Sequence, residues 1–198
     1  MKNIFGICLI LLICLGANAQ VQFGIRGGAL LSSFNYKLKT ENIKTKNILN
    51  YQGGFQINAK LGNLFGFSTG FLYSVKGSEV KEIQEGGRFN ISYLDIPLFL
   101  ETRFGTGKVN TFIETGVNLS VALNGTFDNG VNSLKDIKFG NKEDEISFTD
   151  YSASFGGGVN LSKLRLGFNY NLGLKDITNT SAKEIKNTSM LLYAVLFF

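Results

Sequence analysis

The sequence predicts an all-β protein, an eight-stranded antiparallel up-and-down transmembrane β-barrel, and three observations carry that prediction. Apolar residues recur with period two along most of the chain after residue 20. The segments that show this period are roughly ten residues long, the length a tilted strand needs to cross a bilayer. The connections between them alternate between brief turns and long polar stretches. Composition agrees: 24 Gly, 18 Phe and a single Pro in 198 residues fit neither a helical protein nor a Pro-rich disordered one.

The first element is not a strand. Lys2, the apolar run Ile4 to Leu15 and the small-residue pattern Ala17-Asn18-Ala19 predict a secretory signal peptide over residues 1–19, cut after Ala19, with the barrel domain over 20–198. The run is too short, and lacks the charged flank, for a transmembrane helix. Ile13 before Cys14 is wrong for a lipoprotein site. Both cysteines, Cys8 and Cys14, fall in this segment, so the mature chain is expected to contain no disulfide or thiolate site.

Eight segments follow. Val21, Phe23, Ile25, Ala29 and Leu31 alternate with Gln22, Gly24, Arg26 and Gly28 in the first; Tyr51, Phe55, Ile57 and Ala59 alternate with Gln52, Gln56, Asn58 and Lys60 in the second. The third runs from Phe65 to Lys76, the fourth from Tyr93 to Phe104, the fifth from Val109 to Val121 and the sixth from Asp150 to Leu161. Leu164 to Leu172 is the seventh and Met190 to Phe198 the eighth. Gly62-Asn63-Leu64, Gly105-Thr106-Gly107-Lys108 and Ser162-Lys163 are brief turns, whereas residues 35–49, 77–88, 124–147 and 175–188 read as long loops. Short turns on one side and long loops on the other are the asymmetry of an outer-membrane barrel. Pro97 removes a ladder donor inside a strand, which predicts a bulge or a locally broken pairing there.

Every charged residue of these segments lies on one parity: Arg26, Lys60, Lys76, Asp95, Glu101, Arg103, Glu114, Asp150 and Arg165. A soluble sandwich would place its apolar parity inside and Lys and Glu outside. Here the polar parity is rich in Gly and amides, which suits a crowded lumen that Tyr93, Phe99 and Phe112 help to fill. Charge in such a lumen must be paired. Arg26, Glu101, Arg103 and Glu114 are expected at similar depth, in an interior salt-bridge network with Lys60, Asp95 and Arg165.

The residues also resemble a family. Phe23-Gly-Ile-Arg-Gly-Gly-Ala-Leu-Leu-Ser-Ser-Phe34, Gly54-Phe-Gln-Ile-Asn-Ala59, Phe71-Leu-Tyr-Ser-Val-Lys-Gly77 and, most specifically, Tyr93-Leu-Asp-Ile-Pro-Leu-Phe-Leu100 resemble the PorT-like outer-membrane β-barrel family, whose barrels are of the OmpA/OmpX-like eight-stranded kind. The resemblance implies an integral protein of the outer membrane of a Gram-negative cell. It implies no single activity, although the founding member is linked to a protein-secretion machinery. The terminal Phe198, closing an alternating apolar strand, resembles the signal read by the barrel assembly machinery.

The absence of histidine excludes Ser-His-Asp and Cys-His catalysis and any imidazole metal ligand. Glu101 and Glu114 as a glycosidase-type pair are disfavoured, because neighbouring arginines would hold both ionised. The expected function is therefore a non-enzymatic barrel, structural, binding or accessory to protein secretion, with no cofactor and no metal. A small passive pore or transport barrel is the alternative, and a histidine-independent lipid- or glycan-modifying enzyme is less favoured. Lys37, Lys39, Lys44 and Lys46 in the first long loop are candidate contacts to lipopolysaccharide phosphate beside the outer-membrane lipid. A protein partner at the long loops fits the same exterior. Nucleic acid does not, since these lysines have no interleaved aromatics.

Overall fold

Backbone polar groups in hydrocarbon must find partners within the protein, so a strand-only chain can cross a bilayer only as a closed ring. A computed structural model describes residues 20–38, 42–80, 87–105, 107–129, 134–143 and 145–198, and the expected signal peptide lies outside the described residues. Among the described residues there are ten strands: β1 (Gln20–Leu38), β2 (Asn42–Ile43), β3 (Thr45–Leu61), β4 (Phe65–Val80), β5 (Gly87–Phe104), β6 (Val109–Asp128), β7 (Lys135–Asp136), β8 (Thr149–Leu161), β9 (Leu164–Gly173) and β10 (Lys183–Phe197). The eight long ones pair antiparallel with their neighbours in chain order, while β2 and β7 are two-residue additions to β1 and β6. β1 then pairs with β10, from Gly24 opposite Phe197 to Leu38 opposite Lys183, and the ring closes.

The three short turns fall where the sequence places them. Gly62, Gly105 and Gly107 adopt φ of 71°, 96° and 92°, the left-handed region that favours glycine, and Ser162 adopts φ 61° in the third turn. The opposite connections differ from expectation. Much of what reads as loop is strand: β4 continues for 16 residues, β5 for 18 and β6 for 20, well beyond the roughly ten that a bilayer crossing needs. Polar side chains there mark departure from lipid, not the end of the ladder. Opposite Pro97, the β4–β5 pairing lapses between Thr69–Leu98 and Leu72–Asp95 without a change of register, while Pro97 keeps its place opposite Asn118 of β6. The missing N–H therefore faces β4. The register shift of the β5–β6 ladder lies elsewhere, at Ser92/Tyr93.

Burial is inverted relative to a water-soluble protein. Phe55 (64% exposed), Leu100 (63%), Phe155 (62%) and Leu192 (65%) stand outward, while Arg26, Asp95, Glu101, Glu114 and Arg165 are buried. Phe65, Phe104 and Phe198 lie on this exterior at the turn end, and Tyr51, Tyr73, Tyr151 and Tyr170 lie farther toward the loops. Such a surface is stable only against hydrocarbon. At the loop end the barrel is capped from within: Phe34, Ile91, Tyr93, Ala122, Ile177 and Ile185 form a buried cluster, with Ile137, Phe139 and Ile146 packed against it. The chain after β6 and the chain between β9 and β10 supply part of this cap. Asn179 donates from Nδ2 to the carbonyls of Gly140 (2.9 Å) and Glu145 (3.0 Å), which ties the two segments together.

Phe55→Arg places a charge in mid-belt and is expected to lower folding stability in lipid vesicles by about 2–4 kcal/mol, measured by reversible urea unfolding. A change near zero would mean that Phe55 faces water.

Candidate functional site: the polar network of the lumen

Alternation along each strand sends the polar parity inward, and the register sets which side chains meet. Glu101 of β5 stands directly opposite Glu114 of β6 on the lumen face. Two like charges at adjacent positions are unfavourable unless each is compensated. The compensation differs for the two.

Glu101 is clamped by two arginines. Arg165 of β9 donates from Nη1 to Oε1 (2.6 Å) and from Nη2 to Oε2 (3.2 Å), and Arg103 donates from Nη2 to Oε2 (3.0 Å). Amides complete the group: Asn58 Nδ2 donates to Glu101 Oε1 (2.6 Å), Arg103 Nη2 donates to Asn58 Oδ1 (2.7 Å), and Arg165 Nε donates to Asn160 Oδ1 (2.7 Å). The bidentate Arg165 contact is the strongest geometry for such a pair. The Arg165 guanidinium also lies 4.2 Å from the ring centroid of Phe112. A Cβ added at Gly66 would come within 2.5 Å of Arg103 Nη2, so the bare glycine gives that side chain its place.

Glu114 has no arginine within ion-pair distance among the described residues. It accepts a hydrogen bond from the Tyr193 hydroxyl (2.8 Å), and the Arg26 guanidinium sits 3.6 Å above the Tyr193 ring while Nη1 donates to Gln56 Oε1 (3.1 Å). The expected salt-bridge network thus contains Glu101, Arg103 and Arg165, whereas Arg26 and Glu114 are joined through an aromatic ring. Tyr193 reaches this place because Gly167 opposite it has no Cβ: an added one would lie 2.3 Å from the ring.

Asp95 forms a second group toward the loops. It accepts from Lys76 Nζ (2.9 Å), Ser120 Oγ (2.5 Å), Ser74 Oγ (2.6 Å) and Gln52 Nε2 (3.1 Å). Above it, Asp150 accepts from Asn187 Nδ2 (2.7 Å), whose amide also reaches the Tyr93 hydroxyl (3.4 Å) below the apolar cap. Lys60 does not join any of these groups. It lies at the turn-side mouth, without an ion pair among the described residues. The sequence reading missed Tyr193, Asn58, Gln56, Asn160 and Ser120; all five share the polar parity, which is the signal that could have found them.

Lys37, Lys44 and Lys46 are exposed on the extended hairpin of β1 and β3, with Glu184 opposite Lys37 and Glu79 opposite Lys46. Lys39 lies outside the described residues. Phe198 is 70% exposed at the turn end, and its N–H donates to the carbonyl of Phe23 (3.0 Å). Among the described residues no group of three or more His, Cys, Asp or Glu side chains could hold a metal ion.

A closed antiparallel ring with an apolar exterior, a polar interior, short turns at one end and long hairpins at the other defines an integral membrane β-barrel. The outer membrane protein beta-barrel domain family matches residues 17–179, and the chain belongs to it; the protein is an outer-membrane β-barrel. Among solved structures, the chain is similar to Neisserial surface protein A at 13% identity, over 90% of this chain and 99% of that one, with a TM-score of 0.49. It is also similar to the attachment invasion locus protein Ail of Yersinia pestis in complex with the heparin analogue sucrose octasulfate (13% identity, 90% and 99% covered, TM-score 0.46). A third is the outer membrane protein AlkL in DMPC lipid bilayers (15% identity, 89% and 90% covered, TM-score 0.42). No curated protein matches the chain.

Glu101→Gln leaves two buried guanidinium groups without their counter-ion and is expected to cost about 3–5 kcal/mol of unfolding free energy. Adding Arg165→Met should return part of that loss. Equal, additive losses in the double-mutant cycle would show that the two side chains do not interact.

Proposed function

We propose that this protein is a non-enzymatic, non-conducting outer-membrane barrel, whose lumen serves as a rigid plug and whose loop-side hairpins meet its partners. The observation that carries this reading is the filling of the lumen at successive levels: the Glu101 clamp, the Arg26–Tyr193–Glu114 stack, the Asp95 group and the apolar cap around Ile177. An eight-stranded ring leaves space for side chains and little else. An enzymatic reading gains no support from Glu101 and Glu114, each about 1% exposed and held by hydrogen bonds, Glu101 by Arg165 and Arg103 and Glu114 by Tyr193. An accessory part in protein secretion is one role open to such a barrel, although the PorT-like resemblance of Tyr93 to Leu100 does not single it out. Phe198 at the exposed end of the closing strand supports recognition by the barrel assembly machinery. The exposed Lys37, Lys44 and Lys46, on a hairpin that leaves the apolar belt, support contact with lipopolysaccharide phosphate.

Reconstitution into planar bilayers distinguishes the plug from the pore. The purified barrel should give no resolvable conductance steps, and a steady ohmic conductance would refute the plug. For the lysine hairpin, the triple change of Lys37, Lys44 and Lys46 to Gln should lower the lipopolysaccharide retained through purification; an unchanged amount would reject that partner.

A further inference from the structure

The plug does not reach the turn end. A cavity of about 610 Å³ opens there between the short turns, and among the described residues its lining contains Lys60, Arg103, Lys108 and Arg165 with no acidic side chain. Glu101, the acid beneath it, is already taken by both arginines. The arginines are not equally committed. Arg165 uses Nε, Nη1 and Nη2, whereas the 7%-exposed Arg103 donates only through Nη2, and its buried Nε has no acceptor. The side chains of Lys60 and Lys108 make no hydrogen bond or ion pair among the described residues.

The wall is organised ahead of any ligand. Asn110 Oδ1 accepts from Asn160 Nδ2 (2.7 Å), and Asn160 Oδ1 in turn accepts from Arg165 Nε (2.7 Å), so the floor guanidinium is braced from the side. Three incompletely matched cations around one polar recess, set in low-dielectric walls, focus a positive potential on its interior. A single carboxylate would match one of them. A phosphate group carries more charge and several acceptor oxygens, and can meet the guanidinium and the two ammonium groups together.

We propose that the turn-side mouth is a binding site for a phosphate-bearing anion, held between Lys60 and Lys108 at the rim and Arg103 at the floor. The mouth faces the periplasm, because short turns mark that side of an outer-membrane barrel. Phosphate could arrive there on a soluble molecule or on a lipid headgroup of the inner leaflet.

The test is calorimetric titration of the protein, extracted from membranes in nonionic detergent, with inorganic pyrophosphate in one arm and monomeric dihexanoyl phosphatidylglycerol in the other. Saturable binding of pyrophosphate assigns the soluble source, and saturable binding of phosphatidylglycerol alone assigns the lipid source. In either case Lys60→Gln with Lys108→Gln should weaken binding about tenfold, with a smaller difference from the wild type at high salt, while Lys135→Gln with Lys138→Gln, exposed on the loop side, should leave it unchanged. Heat-modifiable gel mobility checks that both variants fold; the rim lysines belong to no buried pair. Absence of saturable binding in both arms, or equal affinities for the wild type and the rim variant, overturns the proposal. Equal weakening by the loop-side variant overturns it as well.

Discussion

A backbone in hydrocarbon has no water to satisfy its N–H and C=O groups, and the rest of this structure depends on that constraint. It forces β1 onto β10, because an open ladder would leave a row of unpaired groups facing lipid. Closure in turn decides which side chains are dry. With the outer face against acyl chains, Phe55, Leu100 and Phe155 belong outside, and the polar parity has nowhere to go but the lumen. The inversion of burial is thus a consequence of ring closure in this solvent rather than a separate feature.

Placing charge inside creates the second problem, which the register makes acute by setting Glu101 beside Glu114. Two different solutions are used side by side. Glu101 receives a bidentate guanidinium from Arg165 and a further contact from Arg103. Glu114 receives a phenol, with a cation stacked on the far side of the same ring. Both solutions need bulk in a narrow tube, and glycine supplies the space: Gly66 beneath Arg103 and Gly167 beneath Tyr193. The high glycine content and the buried arginines are therefore coupled. Replacing either glycine would press on an ion pair or an aromatic stack rather than on an empty lumen.

Much of this was legible in the sequence. Alternation from Phe65 to Val75 or from Met190 to Phe198 states its own strand and face, and Ser162-Lys163 states its own turn, because these are local properties of a period-two chain. The partners of the charges were harder. Lys76 and Asp95 meet across one ladder, but Arg165 reaches Glu101 across the lumen from a strand 64 positions away, which no local pattern encodes. Arg26 and Glu114 look like an ion pair from depth alone, until Tyr193 is placed between them. The loop end departs from the sequence expectation because polarity does not end these strands: the ladder persists into water. Ile177, an apolar residue in a polar stretch, is buried as a member of the cap.

The account rests on Arg165 being held, dry and paired, against Glu101. Side-chain NMR of the arginines in detergent or lipid discs tests this most directly. The account predicts slowly exchanging, separately resolved Nη–H signals for Arg165, arising from hindered rotation in a bidentate pair, and their collapse in Glu101→Gln. A single averaged, rapidly exchanging signal in the unaltered protein would mean that Arg165 is solvated and mobile, and would contradict a side-chain-filled lumen.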